Sequence, residues 1–178
     1  MSRTEPPETR EFNVATTNTT HPPQDFAFAV GDWHVNHRRL RERLAGANEW
    51  IDFTGEMSTR TVLGGFGNVE DNLLHFPEGP YRAVALRSFD PQTRQWSIWW
   101  LDARMPHQID VPVVGSFQDG VGTFYADDTF EGRPIRVRFT WFAIDKEAPR
   151  WEQAFSIDGG ITWETNWTMD FRRADTTR

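Results

Sequence analysis

The chain has 178 residues, 38% hydrophobic and 25% charged, which suits one domain with a sizeable core and is short for two. A formal net charge of -7 and a pI near 5.2 argue against nucleic acid as the main partner, because such binders display a basic face. With no cysteine, disulfides, thiolate metal sites and cysteine nucleophiles are excluded, and stability must come from packing.

Residues 1–25 are rich in Pro, Thr, Glu and Asn, a composition that does not offset the entropy of ordering, so they are expected to form a disordered tail. They contain no apolar run of signal-peptide length, and nowhere do about 18 apolar residues follow one another. The expectation is a cytoplasmic protein with no membrane partner. Asp25 to Val30 is predicted to make one short helical turn, capped by Asp25 and broken by Gly31.

From there residues 26–178 read as one all-β domain. Ten strands are predicted at 32–42, 49–63, 68–76, 81–89, 95–103, 111–117, 121–130, 135–144, 150–157 and 163–173. Between them lie Gly, Pro, Asn and Asp clusters of hairpin length, such as Gly64-Gly65-Phe66-Gly67-Asn68, Pro77-Glu78-Gly79-Pro80 and Gln118-Asp119-Gly120. Successive hairpins give an antiparallel meander, and a ten-strand meander leaves two exposed edges unless it closes. A closed antiparallel up-and-down β-barrel is therefore expected, with a β-sandwich as the alternative.

Alternation assigns the faces of these strands. In the eighth, Ile135, Val137, Phe139 and Trp141 share one side. In the ninth, Trp151, Phe155 and Ile157 do, and in the tenth Trp163, Trp167, Met169 and Phe171. Polar residues that interrupt such inward rows are the informative ones, because each must find a partner or serve a ligand. By this reasoning His37 and Arg39 follow Trp33 and Val35, Arg87 follows Ala83 and Ala85, Asp102 follows Trp100, Asp128 follows Ala126, and Gln153 stands between Trp151 and Phe155. On the third strand either Glu70 with Asn72 or Asp71 with His75 faces inward. Trp100 and Trp167 would add flat apolar area.

The Gly31-Asp32-Trp33 opening, the ten-strand meander and the closing Phe171-Arg172-Arg173 resemble the calycin superfamily. Lipocalins in that superfamily begin with a Gly-x-Trp strand and close with an arginine packed on the tryptophan. The segments GDWHVNHRRL, LGGFGNVEDN and FDPQTRQWSIWWLDAR look like a bacterial family of lipocalin-like barrels, a domain of unknown function. The similarity covers residues 26 to 173. It implies a barrel with a ligand cavity, assigns no catalytic residue, and would place Arg173 or Arg172 over Trp33, with parity favouring Arg173.

Other motifs carry less. Ser156 to Trp163 matches the Ser-x-Asp-x-Gly-x-Thr-Trp pattern of the Asp box, in which Asp158 would bond turn amides as a hairpin stabiliser. His34 and His37 lie three apart on a strand and so face opposite ways, and no metal or other cofactor is expected. Gly64 to Gly67 lacks the Lys-Ser/Thr of a phosphate loop, and no serine-hydrolase elbow is present.

The leading expectation is a binding protein that takes a small, partly apolar or aromatic molecule with a polar or acidic group into the barrel. His37, Arg39, Glu70, Asn72, Arg87, Trp100, Asp102, Asp128, Gln153 and Trp167 are its candidate ligand-binding residues. An alternative is cofactor-free acid/base chemistry of the isomerase or cyclase type, with His37 paired to Asp102 or Glu70. A third is a homodimeric interaction module built on outward Trp99, Tyr125 or Phe142.

Overall fold

The protein is described from a computed structural model, which covers residues 21–142 and 148–174. Ten strands follow one another in chain order: β1 Gly31–Leu40, β2 Trp50–Val62, β3 Gly67–Leu74, β4 Tyr81–Asp90, β5 Gln95–Asp102, β6 Val113–Gln118, β7 Val121–Phe130, β8 Arg133–Phe142, β9 Arg150–Ser156 and β10 Glu164–Arg173. Each pairs antiparallel with its neighbours, and β1 pairs with both β2 and β10, which closes the sheet. Closure removes both free edges, as the meander requires. Residues 143 and 144 of the expected eighth strand lie outside the described residues, as do residues 1–20 of the expected tail. No helix among the described residues is long and apolar enough to cross a membrane.

One end of the barrel is closed from below. The 3-10 turn Ala27–Ala29 sits beneath it, and Phe26 points in, 2% exposed, with its ring centroid 5.0 Å from that of Trp96 and 4.9 Å from that of Phe117. Asp25 does not cap this turn. Its Oδ2 instead accepts the Trp96 indole N–H at 2.9 Å, so the chain is anchored to the barrel just where a tail was expected. The Arg173 guanidinium lies 3.9 Å over Trp33 and donates to the carbonyls of Val30 and Phe28. At Gly31, φ is +108° and a side chain's first carbon would stand 2.7 Å from that guanidinium. The position therefore suits glycine on both counts.

The interior rows follow strand parity, and two residues expected on them, Trp163 and Ile157, leave them for different reasons. Between Thr165 and Trp167 the β9–β10 register slips, and one extra residue in a strand reverses the face of everything before it. Trp163 thus leaves the inward row. Its ring sits outside, 6.0 Å from that of Tyr125 and under the Arg138 cation. Ile157 falls beyond the end of β9, in the following turn, and is exposed. That turn is the Asp box: Asp158 accepts the amides of Ile161 and Thr162 at 3.0 and 2.9 Å and the Ser156 hydroxyl at 2.7 Å. These bonds, led by those from Thr162, hold its carboxyl well below the usual range.

Candidate functional site

The end opposite Phe26 is the mouth, bounded by the β1–β2, β3–β4, β5–β6, β7–β8 and β9–β10 connections. Below it lies a cavity of about 460 Å³, within the range of small-molecule sites. Arg39, Glu70, Arg87, Trp100, Asp102, Asp128, Gln153 and Trp167 line it, whereas His37 and Asn72 do not. Its wall is a set of edge-to-face rings. Trp167 stands 6.2 Å from Trp100 and 5.8 Å from Trp151, and Trp151 stands 4.8 Å from Phe139. Such pairs fill their own positions firmly and leave flat faces toward the cavity.

Polar groups occur at two depths. At mid-depth β3 turns Glu70 and Asn72 inward, each 4% exposed, while Asp71 faces out to Arg82 and His75 faces out toward Glu56. Arg87 on β4 is ion-paired and hydrogen-bonded to Glu70 Oε2 and donates to Asn68 Oδ1 at 2.8 Å. Asn72 donates to the other Glu70 oxygen at 3.0 Å. Both charges are thus paired inside a low-dielectric wall, the arrangement that burial demands. The Arg87 guanidinium also lies 4.9 Å over the Phe26 ring and 5.5 Å over that of Trp141, while small Ala83 and Ala85 occupy the same strand face.

The mouth is arranged differently. Arg104 forks onto Asp102 through Nε at 2.9 Å and Nη2 at 2.5 Å, and its guanidinium lies 3.7 Å from the Tyr81 ring. Burial disfavours the Asp102 carboxylate, but the bonds from Arg104 outweigh it and hold the group below its ordinary pKa. Beside β5, Asp110, whose backbone N–H donates to the Trp100 carbonyl at 2.9 Å, is pushed up, first by burial and then by the like charges of Asp128 and Asp102. Arg39 lies 4.4 Å over Phe76 and 5.7 Å over Trp167. Arg43 lies 4.5 Å over Phe130 and 5.5 Å over Phe155. Burial lowers the pKa of both guanidiniums, Arg43 to about 10 with the like charge of Arg39 as the second cause. They remain cations at neutral pH.

His37 sits beside the cavity, against Trp167, and apart from either carboxylate. Its ring stacks on Phe53 at 4.6 Å, its Nδ1 accepts the Trp167 indole N–H at 3.3 Å, and burial pushes it down to about 3. A neutral ring whose Nδ1 accepts carries its proton on Nε2. That edge faces Gly55, where a first side-chain carbon would stand 2.7 Å from Nε2. Asp102 is occupied by Arg104 and Glu70 by Arg87, so no hydrogen bond or ion pair joins His37 to an acid. The elements of the acid/base pairing are present on inward faces, and the structure does not bring them together.

Gln153 donates to Asn166 Oδ1 at 2.8 Å, within the β10 bulge. Among the described residues no group of three or more potential ligands could hold a metal ion. Trp99 and Phe142 are half-buried and Tyr125 is 38% exposed on the outer face.

Sequence reasoning missed Arg43, Tyr81, Arg104 and Asp110. Three of the four lie in or beside loops, where no periodicity reports which way a side chain points. Tyr81 shares the parity of Ala83 and Arg87, and that signal was available. No protein family matches the chain, and no curated protein matches it.

Proposed function

We propose that this barrel binds a small amphipathic molecule, with an apolar or aromatic body against Trp100, Trp151 and Trp167 and a polar or acidic group at its charged positions. The observation that carries this reading is the cavity itself. A space of about 460 Å³, walled by rings and opening at a charged mouth, persists in a barrel otherwise filled by side chains. Interiors pack to the density of organic crystals, so a chamber of this size with convergent polar groups is the ordinary mark of a ligand site. The resemblance to calycins supports the same reading.

Proton-transfer chemistry has less support, since His37 is neutral, enclosed and without a carboxylate partner. The test is titration of small carboxylates, fatty acids and aromatic compounds while following intrinsic tryptophan fluorescence. Four tryptophans, Trp100, Trp141, Trp151 and Trp167, line the cavity wall, so saturable quenching or a spectral shift by at least one class is expected. A flat response to the whole panel would remove the reading.

A further inference from the structure

The two depths of charge differ in what they still lack. Arg87 has its carboxylate. Arg104 has Asp102. Among the described residues, no carboxylate lies within ion-pair distance of Arg39 or Arg43, although Glu78 and Asp102 act on Arg39 and Glu131 and Glu164 on Arg43 from farther away. Arg39 Nε, like Arg87 Nε, is buried without a hydrogen-bond partner. Aromatic faces accept such cations only weakly and leave the planar fork of donors unfilled.

The second cation is held there by design of the loop. Arg43 belongs to the β1–β2 connection, and the next residue, Leu44, donates its backbone N–H to both oxygens of Glu164 on β10, at 2.8 and 3.1 Å. This clamp folds the connection across the mouth, packs Leu44 against the core and sets Arg43 over Phe130 and Phe155. Arg43 thereby lines the same cavity as Arg39 despite the repulsion between them. Two like charges brought together on a half-buried apolar rim, with no carboxylate within ion-pair distance of either among the described residues, are suited to hold an anion.

Resting on the binding reading above, we infer that the ligand is an amphipathic monoanion, a carboxylate or a group of similar charge and shape. Its head is held at the mouth by Arg39 and Arg43, and its apolar body points down toward Trp151 and Trp167. Head-out orientation follows from the interior. Arg87 is neutralised, so a second anion at mid-depth would meet Glu70 as a like charge. Asp110 and Asp128 also line the cavity and disfavour an anion beside them, which leaves the guanidiniums of Arg39 and Arg43 as the groups that can hold it. From Ile135 to Trp141 on β8 the lining runs six residues, about 20 Å along the strand, or about 15 Å along the axis at usual barrel tilt. A body of that length or less is accommodated.

The experiment uses matched probes on the full chain, followed by tryptophan fluorescence and calorimetry: 2-naphthoate against 2-naphthamide, and decanoate against decanol and decylamine. The carboxylates are expected to bind about tenfold or more tighter than their neutral partners, and the amine weakest. In Arg39→Met and Arg43→Met the carboxylates should lose about tenfold while 2-naphthamide changes by less than about threefold. Arg39→Lys should recover part of the loss. Near-ultraviolet circular dichroism of each variant checks that the barrel is intact, and the wild-type probe series decides the matter even if a variant does not fold. Neutral probes binding as tightly as the carboxylates, or the amine binding tightest, would overturn the anion assignment and leave the binding reading standing. No binding by any probe would overturn both.

Discussion

Arg87 and the pair Arg39–Arg43 sit in one barrel and face one cavity, yet their surroundings are opposite in kind. Arg87 is 2% exposed and meets Glu70 and Asn68. Arg39 and Arg43 are partly exposed and lie over rings, as Arg87 also does, but have no carboxylate within ion-pair distance among the described residues. Deep in the wall a charge without a counter-charge would cost several kcal/mol, so the protein supplies one. At the mouth, water and ring faces make the lack of a counter-charge bearable, and that is where a ligand's charge can be used. On the proposed reading, the difference separates an ion pair that belongs to the fold from two cations that serve binding.

The comparison breaks most readily at Arg87. Arg87→Met is expected to destabilise the barrel by about 3–5 kcal/mol, because Glu70 is then buried alone. Glu70→Leu combined with Arg87→Met should recover most of that loss, as read from urea midpoints. A small effect of Arg87→Met would mean that mid-depth and mouth do not differ in the way claimed. At the mouth, Arg39→Met and Arg43→Met should leave the urea midpoint nearly unchanged, since among the described residues neither arginine has a carboxylate within ion-pair distance and the more distant Glu78, Asp102, Glu131 and Glu164 act on them only weakly.

His37 supplies the next largest effect and a third kind of buried charge, one avoided by staying neutral. Its pKa is about 3 in the folded state against 6.5 ordinarily, so between those values the unfolded chain binds the extra proton. Stability from this group is full above pH 6.5 and falls as pH drops, by about 1.4 kcal/mol per pH unit within that window. His37→Asn offers an oxygen near the position of Nδ1 and cannot titrate. Its midpoint should start lower at pH 7 and lose this slope between pH 6 and 4. An unchanged slope would assign the acid sensitivity to other groups.

Asp158 gives the smallest effect. Asp158→Ala should speed amide exchange at Ile161 and Thr162 without altering binding of any probe, because its bonds stay within the β9–β10 turn. Loss of carboxylate binding in this variant would mean that the turn reaches the mouth.

Much of this architecture was legible in the sequence because period-two alternation and turn clusters report strands and faces directly. The row Ile135, Val137, Phe139 and Trp141, and the polar interruptions at Arg39, Arg87 and Gln153, are read that way. Trp163 was misplaced because a bulge resets parity and carries no compositional mark of its own. The partners of His37 were illegible for another reason. Alternation says that a residue faces inward and says nothing of which inward residues meet across a barrel, so His37 met Phe53 and Trp167 rather than an acid. Arg43 escaped because a loop has no period, and only the Leu44–Glu164 clamp, joining residues 120 apart in the chain, brings it over the cavity.

The most direct test is a crystal structure of the protein with 6-bromo-2-naphthoate, in which anomalous scattering locates the bromine without reference to the protein. The account requires the bromine inside the barrel beside Trp151 and Trp167, with the carboxylate at Arg39 and Arg43. Bromine found only on the outer surface at saturating concentration, or a carboxylate turned down onto Arg87, would contradict it.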